Sequence, residues 1–333
     1  MYRNSMPALL LAAGLPLFPS LCMAATDEVT GPQVVSALEG AFGVTPGERR
    51  NHTKGTCAAG EFVGLSAGAA YSRSALFSGV PVPVIARFSL AGGNPEAPDT
   101  AKSPRGMALE FALGDGRLQH MTMLNTPVFG AAQPKTFLDL MVAMQPDPAT
   151  GKPDPEKLKA FRASHPDSLA QAKFLEENNP PPSFANSSYF GIHTFRFINQ
   201  DNRTTPVRWR FVPQDGEKRL AAEELAALPA DFLQQRLIER MQQGPVRWDM
   251  VLTIGAPGDP EDNSTVAWPE NREQVKIGTL TLSAAMPQKG AACEKINFDP
   301  LVMSDGIAPS DDPVLHFRSQ AYAASFAKRL GGL

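Results

Sequence analysis

Apolar and polar residues alternate in three consecutive runs, Val82–Leu90, Gly106–Leu113 and Arg117–Leu124. Alternation with a period of two marks strands that bury one face. Asn94-Pro95 and Gly114-Asp115-Gly116 supply turn chemistry between the runs, so this stretch predicts an antiparallel meander. Gly191–Ile198, Val207–Val212, Trp248–Ile254 and Val275–Leu282 are again short, β-prone and bounded by turn residues. Seven or eight strands of this kind predict an antiparallel barrel or sandwich, and closure into a barrel removes exposed edges. Helical spacing is confined to Lys135–Met144, Pro155–Ser164, Ala221–Met241 and Pro313–Leu330, which makes the expected fold class α+β. The stretch from Gln145 to Pro182 is rich in Pro, Asn and Asp. Strands of the same character resume after it, so it reads as a wrapping loop with short helices and not as a linker between domains.

Composition narrows the function classes. The chain has 333 residues, 43% hydrophobic and 20% charged, enough for a sizeable core. Its 31 basic and 34 acidic side chains leave a net charge of −3 with no basic stripe, which argues against a nucleic-acid partner. Residues 1–25 carry Arg3, then an apolar stretch from Ala8 to Leu21 broken by Pro16 and Pro19, then Cys22-Met23-Ala24-Ala25. This predicts a secretory signal cleaved after Ala24 or Ala25, a periplasmic or secreted protein, and no stable membrane insertion after cleavage. Leu21 before Cys22 argues against lipidation. Cys57 and Cys293 remain, an even pair that an oxidising compartment permits to bridge; two buried free thiols are the other reading.

The last helical pattern concentrates chemistry. Asp311, Asp312 and Pro313 suit a helix N-terminus. At roughly 100° per residue, Arg318 and Tyr322 lie about 40° apart and Arg329 about 20° from Arg318. They share that face with Ser325. A phenol between two guanidinium groups is costly to bury unless an anion meets it; on an exposed helix the arginines would simply be solvated.

Phe298-Asp299-Pro300, Asp305-Gly306-Ile307, Ser310-Asp311-Asp312-Pro313 and Arg318 with Tyr322, continued by Arg329-Leu330-Gly331, resemble the proximal segment of catalases. Arg87-Phe88-Ser89, Asp99-Thr100, Ser103-Pro104-Arg105-Gly106, Asn125-Thr126-Pro127-Val128-Phe129, His193-Thr194-Phe195, Trp268-Pro269 and Gly278-Thr279-Leu280-Thr281-Leu282 resemble the same family in the same order. The short C-terminus is similar to the smaller, peroxidase-like branch. The resemblance implies a catalase-like closed antiparallel β-barrel with a wrapping loop and flanking helices over residues 26–333. It also implies a haem b whose iron is ligated by Tyr322.

By the same resemblance His52, within Arg49-Arg50-Asn51-His52-Thr53-Lys54-Gly55, is the general acid/base that moves a proton between peroxide oxygens. Ser89 would orient it, Asn125 would be the remaining distal amide, and Phe137 would line the pocket. His193 and Asp312 would partner Arg318 in a chain reaching Tyr322. Arg49, Arg87 and Arg329 would meet the haem carboxylates, and Phe298 would pack on the haem. The sequence departs from the family pattern in two places: Leu124 stands where catalases carry the first of two asparagines, and Asn51 stands where an aliphatic residue usually precedes the distal histidine. Loss of the asparagine amide at position 124 favours peroxidase turnover of hydrogen peroxide or organic hydroperoxides, with a small organic electron donor, over fast dismutation. A non-catalytic haem-binding or storage protein and a hydroperoxide isomerase or dehydratase are the alternatives. A monomer or small homo-oligomer is expected. Cys57 and Cys293 flank segments assigned to the pocket, so a bridge between them would close a long loop, stabilising by about 4 to 5 kcal/mol in the chain-entropy estimate.

Overall fold

The computed structural model describes residues 1–2 and 28–333, so the expected signal segment lies outside the described residues. Among the described residues, ten strands form one antiparallel sheet: β1 (Gly55–Gly64), β2 (Val82–Leu90), β3 (Arg105–Ala112), β4 (Leu118–Leu124), β5 (Tyr189–Phe190), β6 (Phe195–Ile198), β7 (Thr204–Pro213), β8 (Val246–Ile254), β9 (Gln274–Pro287) and β10 (Ile307–Pro309). The ring β1-β2-β3-β4-β5-β7-β8-β9 closes on itself because β8 pairs with β7 on one side and β9 on the other, and β1 joins β9. β6 and β10 extend from β7 outside the ring. The expected closed α+β barrel is therefore present, with no large open edge to protect.

Period-two patterning decides what faces inward. Along β2, Val82, Val84, Ala86 and Phe88 enter the core, which continues through Met107, Leu109 and Phe111 of β3 and Met121 and Met123 of β4. Each fully buried side chain of this size contributes roughly 1.5–3 kcal/mol. The alternate residues Arg87, Ser89, Gly106, Ala108, Thr122 and Leu124 consequently point out of the barrel on its other face.

The helices are α1 (Gly31–Phe42), α2 (Ser66–Ala69), α3 (Pro134–Ala143), α4 (Pro155–Ser164), α5 (Leu169–Glu177), α6 (Ala222–Ala227), α7 (Phe232–Gln242), α8 (Ala292–Lys295) and α9 (Pro313–Leu330). α1, α3 and α9 pack together through Val34, Leu38, Met141 and Phe317, forming a second core outside the barrel. Glu39 of α1 ties them further, bonding Arg50 at 2.6 Å and Lys328 of α9 at 2.7 Å. Burial alone would raise the Glu39 carboxyl's pKa, but these two cations more than offset it and hold it below its ordinary range. α4 and α5 occupy the wrapping stretch.

Three elements depart from expectation. The helix expected over Ala221–Met241 is two helices, because Pro229 cannot donate a backbone hydrogen bond and disfavours helical geometry before it. The strand expected over Gly191–Ile198 starts only at Phe195. Ile192 has φ 27°, and a Cβ on Gly191 would lie 2.5 Å from the Trp209 ring nitrogen, so the chain there is bent around an indole. β1 reads weakly as a strand because it holds three glycines and two alanines; a side chain on Gly60 would overlap the Thr281 carbonyl of β9.

Cys57 of β1 and Cys293 of α8 form a disulfide with Cα atoms 5.6 Å apart, packed with Phe298 in a small buried cluster. Reducing the bridge, or replacing both cysteines by alanine, is expected to cost about 2–5 kcal/mol. Urea unfolding with and without reductant measures this, and coincident curves would rule it out.

Candidate active site

A cavity of about 210 Å³ lies between the outer face of β2, β3 and β4 and the helices α1, α3 and α9. α9 supplies its longest wall. Val314, Phe317, Arg318, Ala321, Tyr322, Ser325, Phe326 and Arg329 all line the cavity, a stripe at three- and four-residue spacing. Asp312 caps this helix by accepting from the N–H groups of Val314 and Leu315, which fixes its start and thereby the stripe.

His52, Asn51 and Arg49 enter from the loop before β1. His52 has φ 54°, a left-handed conformation costing of order 1–3 kcal/mol for a residue with a side chain. Its Nδ1 lies 2.9 Å from Ser89 Oγ, which leaves Nε2 without a protein partner among the described residues. Gly106 makes room for this pair: a Cβ there would sit 2.7 Å from Ser89 Oγ and 3.2 Å from His52 Nδ1. Burial, followed by the positive charges of Arg87, Arg318 and Arg49, pushes the imidazole pKa down to about 3. The ring is therefore neutral at ordinary pH.

Tyr322 Oη accepts a hydrogen bond from Arg318 Nη2 at 2.7 Å, and the same nitrogen donates to Thr122 Oγ1 at 2.6 Å. The expected continuation of this chain differs. Asp312 bonds His193 Nδ1 at 2.7 Å and the helix N-terminus, not Arg318, and His193 Nε2 is buried without a partner. The chain is thus two pairs, Asp312–His193 and Arg318–Tyr322, because the carboxylate's two oxygens are used in capping and in holding the imidazole. Burial lowers the His193 pKa, Asp312 partly restores it, and Arg318 and Arg208 lower it again, leaving it below its ordinary value.

Arg49, Arg87 and Arg329 converge without forming a salt bridge among the described residues. Arg49 donates to the carbonyls of Cys293, Glu294 and Ile296, Arg329 to that of Glu294, and Arg87 to those of His52 and Thr53 and to Gln288. Burial lowers the pKa of all three, and mutual repulsion adds to it for Arg49 and Arg87. One nitrogen of Arg49 is buried with no acceptor. Such a cluster is short of anions.

Of the residues expected in the site, His52, Ser89, Arg49, Arg87, Phe137, His193, Phe298, Arg318, Arg329 and Tyr322 all line the cavity. Asp312 stands behind His193. Asn125 is not in the lining: its carboxamide oxygen accepts from the Arg105 backbone N–H at 2.7 Å, and Leu124 takes the cavity-facing position. Strand alternation imposes that choice. Sequence reasoning missed Thr122, Gln288 and the α1 residues Val34, Val35 and Leu38. The α1 residues had a signal, since Thr30 and Gln33 form a capping box ahead of an apolar pattern.

The Catalase family model matches residues 45–333, and the chain belongs to that family. It is 63% identical over 309 residues to the catalase-related peroxidase of Synechococcus elongatus, covering 93% of this chain and 91% of that protein. It is 35% identical over 304 residues to the catalase-related peroxidase of Mycolicibacterium paratuberculosis, covering 91% and 96%. A bacterial catalase of solved structure superposes with a TM-score of 0.78 at 26% identity, covering 86% of this chain but 58% of that one. The chain thus spans little more than half of that larger catalase, and it falls in the small catalase-related peroxidase branch.

Catalases bind haem, and the residues present fit one. The apolar walls suit a flat macrocycle, the three guanidinium groups and the orphaned Arg49 nitrogen suit its carboxylates, and the Tyr322 oxygen suits its iron.

A pH effect follows from the His52 imidazole. It stays neutral in the fold, whereas in the unfolded chain it titrates near 6.5. Its contribution to stability is complete above that pH and is lost as pH falls toward 3. For His52 the loss between pH 6.5 and 5 is expected to be about 1.6 kcal/mol. Urea unfolding of haem-free protein at both pH values checks this. A His52→Ala variant with the same pH slope as wild type would contradict it.

Proposed function

We propose that this protein is an exported haem b-dependent peroxidase that reduces hydrogen peroxide or an organic hydroperoxide with electrons from a small organic donor. The observation carrying this reading is one cavity that joins a neutral, oriented imidazole to an arginine-backed phenol and an anion-seeking arginine cluster. Haem, when bound, supplies the redox chemistry that splits the O–O bond.

The chain's own residues do the rest. Tyr322 would offer its oxygen to the iron, and the Arg318 guanidinium, donating to that oxygen, holds it in place. Thr122 holds that guanidinium in line. Arg49, Arg87 and Arg329 bind the two carboxylates and so fix the orientation of the group. Ser89 Oγ orients the His52 ring through Nδ1, and in the tautomer with Nδ1–H donating to Oγ the base is Nε2. His52 Nε2 then takes a proton from one peroxide oxygen and returns it to the leaving oxygen as water forms. The disulfide supports placement in an oxidising compartment.

Absorption spectroscopy of the purified protein tests the reading. A haem band that changes on addition of peroxide, and reverts as an organic donor such as a phenol is oxidised, is expected. Absence of haem uptake, or haem without any response to peroxide, would overturn it.

A further inference from the structure

Asn51 lines the cavity next to His52 in sequence. Its Oδ1 accepts from two backbone N–H groups, those of His52 at 2.9 Å and Gly92 at 2.8 Å. Both partners are donors, so the orientation of the carboxamide is fixed: turned over, its NH2 would confront two N–H groups. That NH2 group has no acceptor among the described residues. Two unusual backbone positions maintain the arrangement, His52 at φ 54° and Gly92 at φ 117°.

The surroundings leave that donor available to a ligand. Leu38, Phe129 and Phe137 contribute apolar surface to the same cavity, so a small acceptor bound there meets few competing polar groups on that side. The neighbouring position on β4 offers no polar group, because Leu124 lines the cavity and Asn125 is spent on the Arg105 backbone. A peroxide oxygen is an acceptor of the right size, and it becomes a stronger one as His52 withdraws its proton.

We propose that Asn51 Nδ2 donates a hydrogen bond to the peroxide, making Asn51 the substrate-binding amide that Leu124 cannot be. The proposal rests on the peroxidase reading above. No covalent bond changes at Asn51; its donor steadies the oxygen from which His52 takes the proton.

Fluoride, a small hydrogen-bond-accepting anion, serves as the probe, with its dissociation constant read from the absorbance of the full-length, haem-loaded protein. Asn51→Ala is expected to raise that constant about tenfold, the cost of one hydrogen bond to a charged acceptor. The same factor is expected when Asn51→Ala is placed in a His52→Ala background. A factor that vanishes there would mean that Asn51 acts only through the placement of His52, and would overturn the proposal, as would no change in either background. Asn51→Asp provides a second variant that keeps an oxygen for both backbone N–H groups while removing the NH2; fluoride affinity equal to wild type in that variant would also overturn it. A wild-type protein that takes up no haem is seen before fluoride is added and overturns the peroxidase reading itself.

Discussion

Tyr322→Phe is expected to lower haem affinity by well over the roughly 10- to 100-fold that loss of a mere supporting contact costs a metal site. The substitution removes one oxygen, the one that accepts from Arg318 at 2.7 Å. It leaves the ring, its packing on α9 and the Arg318 contact to Thr122 in place. Haem-free protein should therefore melt close to wild type, since few folded-state contacts are lost. Haem titration followed in the Soret region is the deciding measurement. With the oxygen gone, the carboxylates would still find Arg49, Arg87 and Arg329, so weak uptake with an altered band is expected and not complete loss. Wild-type affinity together with a wild-type spectrum would remove Tyr322 from the axial position and send the search to another residue of the cavity.

The sequence made the barrel and most of the site legible for different reasons. β2, β3 and β4 alternate cleanly because one face packs into the barrel, and the same alternation delivered Arg87 and Ser89 to the cavity. α9 was legible from Asp312 and Pro313 at its start and from the angular coincidence of Arg318, Tyr322 and Arg329. His52 was not legible physically: a histidine in a basic loop has no periodicity, and only resemblance singled it out. β1 was hidden because its glycines and alanines serve close approach to β9, a need that exists only after the chain has folded. The role of Asp312 was misassigned for a related reason. Resemblance placed it beside Arg318, yet its oxygens are claimed by the helix N-terminus and by His193, 119 residues away along the chain. The Asn125 side chain follows the same logic, satisfying a buried backbone N–H that sequence alone does not reveal as unpaired.

His52→Ala is expected to slow the reaction with peroxide by about 10² or more, what a positioned acid/base contributes, while haem binding stays near wild type. The separation follows from the architecture. The three arginines and Tyr322 are held by contacts to Gln288, Thr122, Arg318 and main-chain carbonyls, none of which is the imidazole. Arg87 does bond the His52 carbonyl, but alanine keeps that group. What disappears is Nε2 and the Nδ1 contact to Ser89. The pH profile makes the test sharper. A base with an ordinary imidazole pKa would lose half its activity near pH 6.5. Here burial and the charges of Arg87, Arg318 and Arg49 hold the pKa near 3, so the group stays unprotonated, and able to accept, far into the acid range. The wild-type rate constant for peroxide should therefore be flat from neutral pH down to about 4 and fall only as the imidazole charges near 3, provided the protein is held folded. In His52→Ala the residual rate should lack that acid limb. Stopped-flow measurement of both proteins from pH 8 down to about 2.5 decides it: a wild-type inflection near 6.5 would show that the imidazole is solvated and not the desolvated base described here, and a variant reacting at the wild-type rate would place the proton transfer on another group.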